Sequence, residues 1–180
     1  MSSDASATSS TSTTVDNRII PISSNDDKTF EVTRSELRCI GTLDNLFKNM
    51  GYEDDTEKAV EVLPCPAVDG ATLELVVEFV KHHVNQWEMS EEDKKKDKRT
   101  IPLPQWDRDF VPKNEDALYN LYVASNYLHV QKLMDVCAQY IASLIQGKST
   151  VEIGKIYGIE CDLTPAEQEQ IRKENAWCED

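Results

Sequence analysis

The chain has little basic charge, few glycines, scattered cysteines and no long apolar run, and each shortage removes a class of function. Only 19 Lys and Arg stand against 33 Asp and Glu, a net charge of −14. Such a chain is repelled by phosphate backbones and anionic lipid, so no nucleic acid and no membrane surface is expected as a partner. Basic proteins suit it better. No stretch approaches the ~20 apolar residues needed to cross a bilayer. The N-terminus has neither the basic start nor the apolar run of a secretory leader. The five cysteines, Cys39, Cys65, Cys137, Cys161 and Cys178, are odd in number and form no C-x-x-C pair. That pattern points to free thiols in a reducing compartment, and so to a cytoplasmic and nuclear protein.

Candidate chemistry thins out on the same terms. The six glycines build no phosphate-cradling loop. His82 and His83 are adjacent, and neighbouring helical side chains diverge by ~100°. With no Cys or His nearby at zinc spacing, they read as surface histidines and no metal is expected. Cys137 falls on an apolar helix stripe with no His close in sequence, which describes a core thiol. A thiol-dependent or metal enzyme would need Cys137 or Cys161 to be reactive. No catalytic constellation and no cofactor is expected.

What the chain does have is one helix with too much apolar surface. At ~100° per residue, Leu133, Val136, Cys137, Tyr140 and Leu144 form one stripe of the segment 131–146. Met134, Ala138, Ile141 and Ile145 form a second, roughly 110° further round. Lys132, Asp135, Gln139, Ser143 and Gln146 fill the remaining arc. A surface helix needs a single apolar face a little over ~100° wide. Either the domain covers both stripes or it offers one to a partner. The helices that follow are poor in apolar residues, which favours the partner.

The rest of the chain supplies a small α+β domain. Residues 1–17 form a Ser/Thr-rich tail too polar to order itself. Arg18–Ser23 and Thr29–Val32 alternate as strands, with Ile20, Ile22, Phe30 and Val32 inward and a Ser24–Asp27 loop between them. Pro21 cannot donate to a ladder, so a free edge is expected beside it. Thr33–Arg38 and Leu43–Met50 read as helices, with Gly51 as a left-handed stop. Glu53–Glu57 reads as a solvated acidic loop. Ala59–Leu63 reads as a third strand, with Val60 and Val62 on one face and Pro64 and Pro66 ending it. Asp69 caps a helix running to about His83, with Leu73, Val76, Val77 and Val80 inward. Residues 84–100 are dominated by charge and read as a mobile loop, after which Trp106 and Phe110 re-enter the core. Asn114 caps a helix whose inner face is Leu118, Leu121, Tyr122 and Ser125 and which ends at Asn126-Tyr127. Two capping boxes, Ser149 with Glu152 and Thr164 with Glu167, open the last two helices. Only Ile171 is large and apolar in the second of these.

The run NYLHVQKLMDVCAQYIASLIQGKSTVEIGKIYGIECDLTPAEQEQIRKENAWCED, from Asn126 to Asp180, closely resembles the S-phase-kinase-associated adaptor family, which links cullins to F-box proteins in SCF ubiquitin ligases. The segment IRKENAWCED is the most specific part. The likeness extends over about 18–180 and includes Phe30-Glu31-Val32, the charged mid-chain loop and Trp106-Asp107. It implies a BTB/POZ domain over 18–126, a small three-stranded sheet with helices, followed by a helical F-box-binding extension over 127–180. It implies a non-catalytic adaptor of the ubiquitin pathway. Asn126 and Tyr127 match a cullin-binding pair. Met134, Ala138, Ile141, Ile145, Asn175, Trp177 and Cys178 match the F-box-binding surface. A weak homodimer is left open, and a BTB-type homo-oligomeric scaffold with no ligase role is the alternative. The chain departs from the family's pattern at His129, where Asp is common, at Gly154, where a basic residue is usual, and at Asp26-Asp27-Lys28, where Asp-Gly is frequent.

Overall fold

The computed structural model describes residues 18–53, 59–87, 103–159 and 163–175. The Ser/Thr-rich tail, most of the acidic loop after Glu53, residues 88–102, Cys161, Trp177 and Cys178 lie outside these. The chain divides into two compact units, Met1–Tyr140 and Ile141–Asp180.

In the first unit, β1 (Ile19–Ser23) and β2 (Thr29–Thr33) form an antiparallel hairpin in which Ile22 faces Phe30 and Ile20 faces Val32. The period-2 alternation buries Ile20, Ile22 and Val32, while Phe30 is half-buried. The turn needs one left-handed residue, and Asp27 supplies it at φ 59°. Asp26 then fastens the turn to a later helix: its carboxylate accepts from the Ser24 hydroxyl at 2.5 Å and from the Gly70 N–H at 2.8 Å.

The expectation for the third strand is corrected. β1 is the middle strand of the order β2-β1-β3. Its second neighbour meets it only at Ile22 and Ser23, which leaves a free edge beside Pro21 as the missing donor requires. That neighbour, β3, is only Leu63–Pro64 and runs parallel to β1. It begins where the sequence reading ended it, and Val62 is exposed. The cause is a competing bond: the Glu61 N–H donates to the Tyr52 hydroxyl at 3.3 Å rather than to a strand.

Helices cover the sheet. α1 (Arg34–Leu37) opens on a capping box in which Thr33 and Glu36 satisfy each other's backbone N–H. α2 (Gly41–Asn49) buries Leu43 and Phe47. Gly51 follows it at φ 75°, the left-handed stop read from the sequence. The buried guanidinium of Arg34 ties this region together. It lies 2.6 Å from Asp44 Oδ1, 3.2 Å from Glu53 Oε1 and 4.7 Å over the Phe47 ring. Burial alone would raise the Asp44 carboxyl's pKa, but bonds from Lys48 and Arg34 outweigh it and hold the pKa below the usual range.

α3 (Gly70–His83) starts at Asp69, whose side chain accepts from the Thr72 N–H at 2.9 Å. Its stripe of Leu73, Val76, Val77 and Val80 is buried, as the spacing predicts. Val84–Gln86 continues it as one 3₁₀ turn. α4 (Gln105–Phe110) lays Trp106 and Phe110, both half-buried, against this end of α3. The Trp106 ring stacks on His82 at 3.6 Å and on Phe110 at 4.8 Å.

The adjacent histidines part company here. His82 is exposed, as expected, but His83 is buried, which corrects the surface reading. Its Nδ1 lies 3.1 Å from the Phe79 carbonyl and its Nε2 lies 3.1 Å from Asp107 Oδ1. Burial, helped by the charge of Lys132, holds the His83 pKa below the usual imidazole value, against the opposing pull of Asp107 and the Phe79 carbonyl. Among the described residues, no three of His, Cys, Asp or Glu gather as metal ligands. The described helices include none long and apolar enough to cross a membrane.

Candidate functional site

α5 (Glu115–Tyr127) begins with Asn114 accepting from the Ala117 N–H, and Glu115 and Asp116 sit in its positively polarised first turn. Leu118, Leu121 and Ser125 face inward and are buried. The opposite side carries an apolar row at four-residue spacing: Tyr119, Val123 and Tyr127, exposed at 67%, 45% and 39%. Tyr119 and Val123 escaped the sequence reading. Their spacing to Tyr127, off the Leu118–Leu121 face, was the signal that could have found them.

The end of α5 is locked. Val130 N–H donates to Ser125 O at 2.9 Å and His129 N–H donates to Asn126 O at 3.2 Å. That pair of bonds is a Schellman cap, whose left-handed position is usually glycine. Here it is His129 at φ 56°. Two remaining carbonyls are taken by the start of α2. Thr42 donates its hydroxyl to Tyr127 O at 2.7 Å and its N–H to Leu128 O at 3.1 Å. Every carbonyl from Ser125 to Leu128 is therefore bonded. Asn126, Tyr127 and His129 stand exposed on a corner that has no slack in its backbone. No periodicity signals the Thr42 clasp, because it joins positions 85 residues apart.

α6 (Gln131–Ile145) is the two-striped helix. Its first stripe is buried at Leu133, Val136 and Cys137 and half-buried at Tyr140 and Leu144. Its second stripe is open. Met134 and Ile141 are half-buried, Ala138 is exposed, and Ile145 is 37% exposed. Helical spacing alone brings these four to one face. The Cys137 thiol is pushed up to about 12 by burial, so it is a core thiol and not a nucleophile at neutral pH. Burial likewise pushes Cys39 up to about 12 and Cys65 up to about 11.

In the second unit, α7 (Thr150–Ile156) and α8 (Pro165–Glu174) open on the two expected capping boxes, Ser149 with Glu152 and Thr164 with Glu167. α8 has no buried residue, and Ile171 is 41% exposed. Asn175 is exposed at its C-terminal cap and donates its side-chain N–H to Ile171 O at 2.8 Å. Gly154 has a packing reason that the sequence hid. A Cβ there would stand 2.8 Å from the Ile159 carbonyl oxygen, and the Ile159 N–H donates back to Gly154 O. The chain after α7 folds tightly over a position that has no room for a side chain.

Comparison with known proteins gives two domain matches and close relatives. The model of the Skp1 family tetramerisation domain matches residues 18–85, and that of the Skp1 family dimerisation domain matches residues 131–178. The SCF ubiquitin ligase complex proteins SKP1a and SKP1b of Dictyostelium discoideum are each 38% identical to this chain over 163 residues, which is 90% of this chain and 96% of theirs. A Skp1-related protein of Caenorhabditis elegans is 37% identical over 163 residues, 91% of this chain and 93% of its own.

Proposed function

The chain belongs to the Skp1 family, and from that premise we propose that it is the non-catalytic adaptor of an SCF-type ubiquitin ligase, bridging a cullin to F-box substrate receptors for protein degradation. The BTB/POZ part, residues 18–126, takes the cullin at the Asn126–Tyr127 corner. The extension, residues 127–180, takes the F-box along Met134, Ala138, Ile141 and Ile145, with Asn175, Trp177 and Cys178 completing the grip. A cytoplasmic and nuclear location accords with this role.

The observation that carries the reading is the open second stripe of α6, an apolar face beside a buried one. Association is driven by moving that surface out of water, at roughly 25 cal/mol per Å² before ordering and docking costs. The exposed Tyr119–Val123–Tyr127 row gives the corner an apolar approach as well. The test is co-elution of a cullin N-terminal fragment, this chain and an F-box domain as one complex. Asn126→Lys with Tyr127→Lys should release the cullin and keep the F-box. A chain that forms a stable dimer in light scattering and ignores F-box domains would instead be a homo-oligomeric scaffold.

A further inference from the structure

His129 occupies a backbone conformation that costs a non-glycine residue about 1 kcal/mol, so its side chain invites an explanation. The explanation lies in the ring. Nδ1 sits 3.0 Å from the Asn126 carbonyl oxygen. A carbonyl only accepts, so Nδ1 carries the proton of that bond. The neutral ring then holds a bare lone pair on Nε2. Nε2 has no hydrogen-bond partner among the described residues, and His129 is exposed. The bond to Asn126 fixes the tautomer and the ring direction together. The clasp of Thr42 on the neighbouring carbonyls fixes the backbone beneath. Beside the ring is a small open pocket lined by Ser125, Asn126, His129, Gln131 and Met134.

We infer that His129 is a specificity-determining residue of the cullin-binding corner, which accepts through Nε2 a hydrogen bond from a donor side chain of the cullin. The inference rests on the cullin reading of Asn126 and Tyr127, and it adds what that pair does not supply, a polar contact with a fixed direction. The donor on the partner is an amide, hydroxyl or guanidinium; a carboxylate there is repelled by the lone pair. The strongly acidic charge of this chain, −14 overall, favours a cationic donor.

The test uses the two amide mimics of the ring. Asn places its amide where Nδ1 stands and cannot reach the partner, whereas Gln places an amide near Nε2. Asn and Gly also accept the left-handed backbone, so His129→Asn and His129→Gly keep the fold. Affinity for a cullin N-terminal fragment is measured at pH 8, where free imidazole is neutral. His129→Asn and His129→Gly should each bind about three- to tenfold more weakly, the loss of one hydrogen bond. His129→Gln should stay within about twofold of the parent, and F-box affinity should be unchanged in all three; melting temperature should hold in His129→Gln and rise by a few degrees in His129→Gly, where the left-handed cost is relieved. Wild-type cullin binding by His129→Asn, or equal losses in the Asn and Gln variants, would overturn the inference. The Asn126→Lys, Tyr127→Lys chain separates the two readings. If it still binds the cullin, the corner itself is misassigned. If it does not, any failure belongs to His129 alone.

Discussion

Ala138→Asp is the cleanest probe of the open stripe on α6. Ala138 is exposed, so the substitution opens no cavity. The cost to the fold is mainly helix propensity, about 0.7 kcal/mol in a helix interior. The cost to a partner is of another order. The position lies one turn from both Met134 and Ile141, in the middle of the apolar face. A carboxylate closed into that face without a counter-ion carries an effective penalty of several kcal/mol. Even about 3 kcal/mol corresponds to more than a hundredfold in Kd. The measurement is calorimetric titration of an F-box domain into the parent and the variant, with thermal melts of each. Gln139→Glu provides a charge control about 100° round the helix; it adds the same unit of charge away from the stripe. Expected are binding losses above a hundredfold for Ala138→Asp, little change for Gln139→Glu, and melting temperatures within a few degrees. F-box binding by Ala138→Asp within about threefold of the parent would refute the placement of the F-box on this face.

Four further outcomes follow from the packing. Arg34→Met removes the buried guanidinium from Asp44, which keeps Lys48, and from the half-exposed Glu53, and should cost about 1.5–3 kcal/mol in urea denaturation, the worth of a hydrogen bond to a charged group. Asp69→Ala removes the cap of α3 and should cost about 1 kcal/mol. Gly154→Ala should destabilise the second unit despite alanine's better helix propensity, because the new methyl group meets the Ile159 carbonyl; a rise in melting temperature would contradict this. His83 titrates below the ordinary imidazole value in the fold, so its neutral form contributes stability that is complete above pH ~6.5. That stability declines as pH falls from there through the folded pKa. Denaturant midpoints between pH 7.5 and 5 should fall in the parent and stay flatter in His83→Gln.

The sequence disclosed whatever is local. Caps, left-handed stops and helical stripes obey short-range rules, so Asp69, Asn114, Ser149, Thr164 and Gly51 could be read in place. The excess stripe of α6 was legible for the same reason. Bonds that join distant positions leave no such trace. His83 looked like a surface residue because Asp107, its buried neighbour in space, lies far along the chain. The third strand was misplaced because Tyr52 takes the N–H of Glu61. Thr42 went unnoticed, and His129 stood out only as a departure from the family's pattern, because neither periodicity nor composition marks a residue that holds another element's last turn. Gly154 stood out only as a departure from the family's pattern, and its reason lies in the Ile159 carbonyl above it.

Only Leu128, His129 and Val130 separate α5 from α6. Both ends of that spacer are pinned, by the Schellman bonds and by Thr42, so it works as a phase coupler. One residue inserted there would turn every later side chain of α6 by ~100°. The helix would still form, and the second stripe would point where the polar arc now points. The three-residue spacer thus sets the angle between whatever docks on the corner and whatever docks on α6, and loop-length variation is barred from this turn.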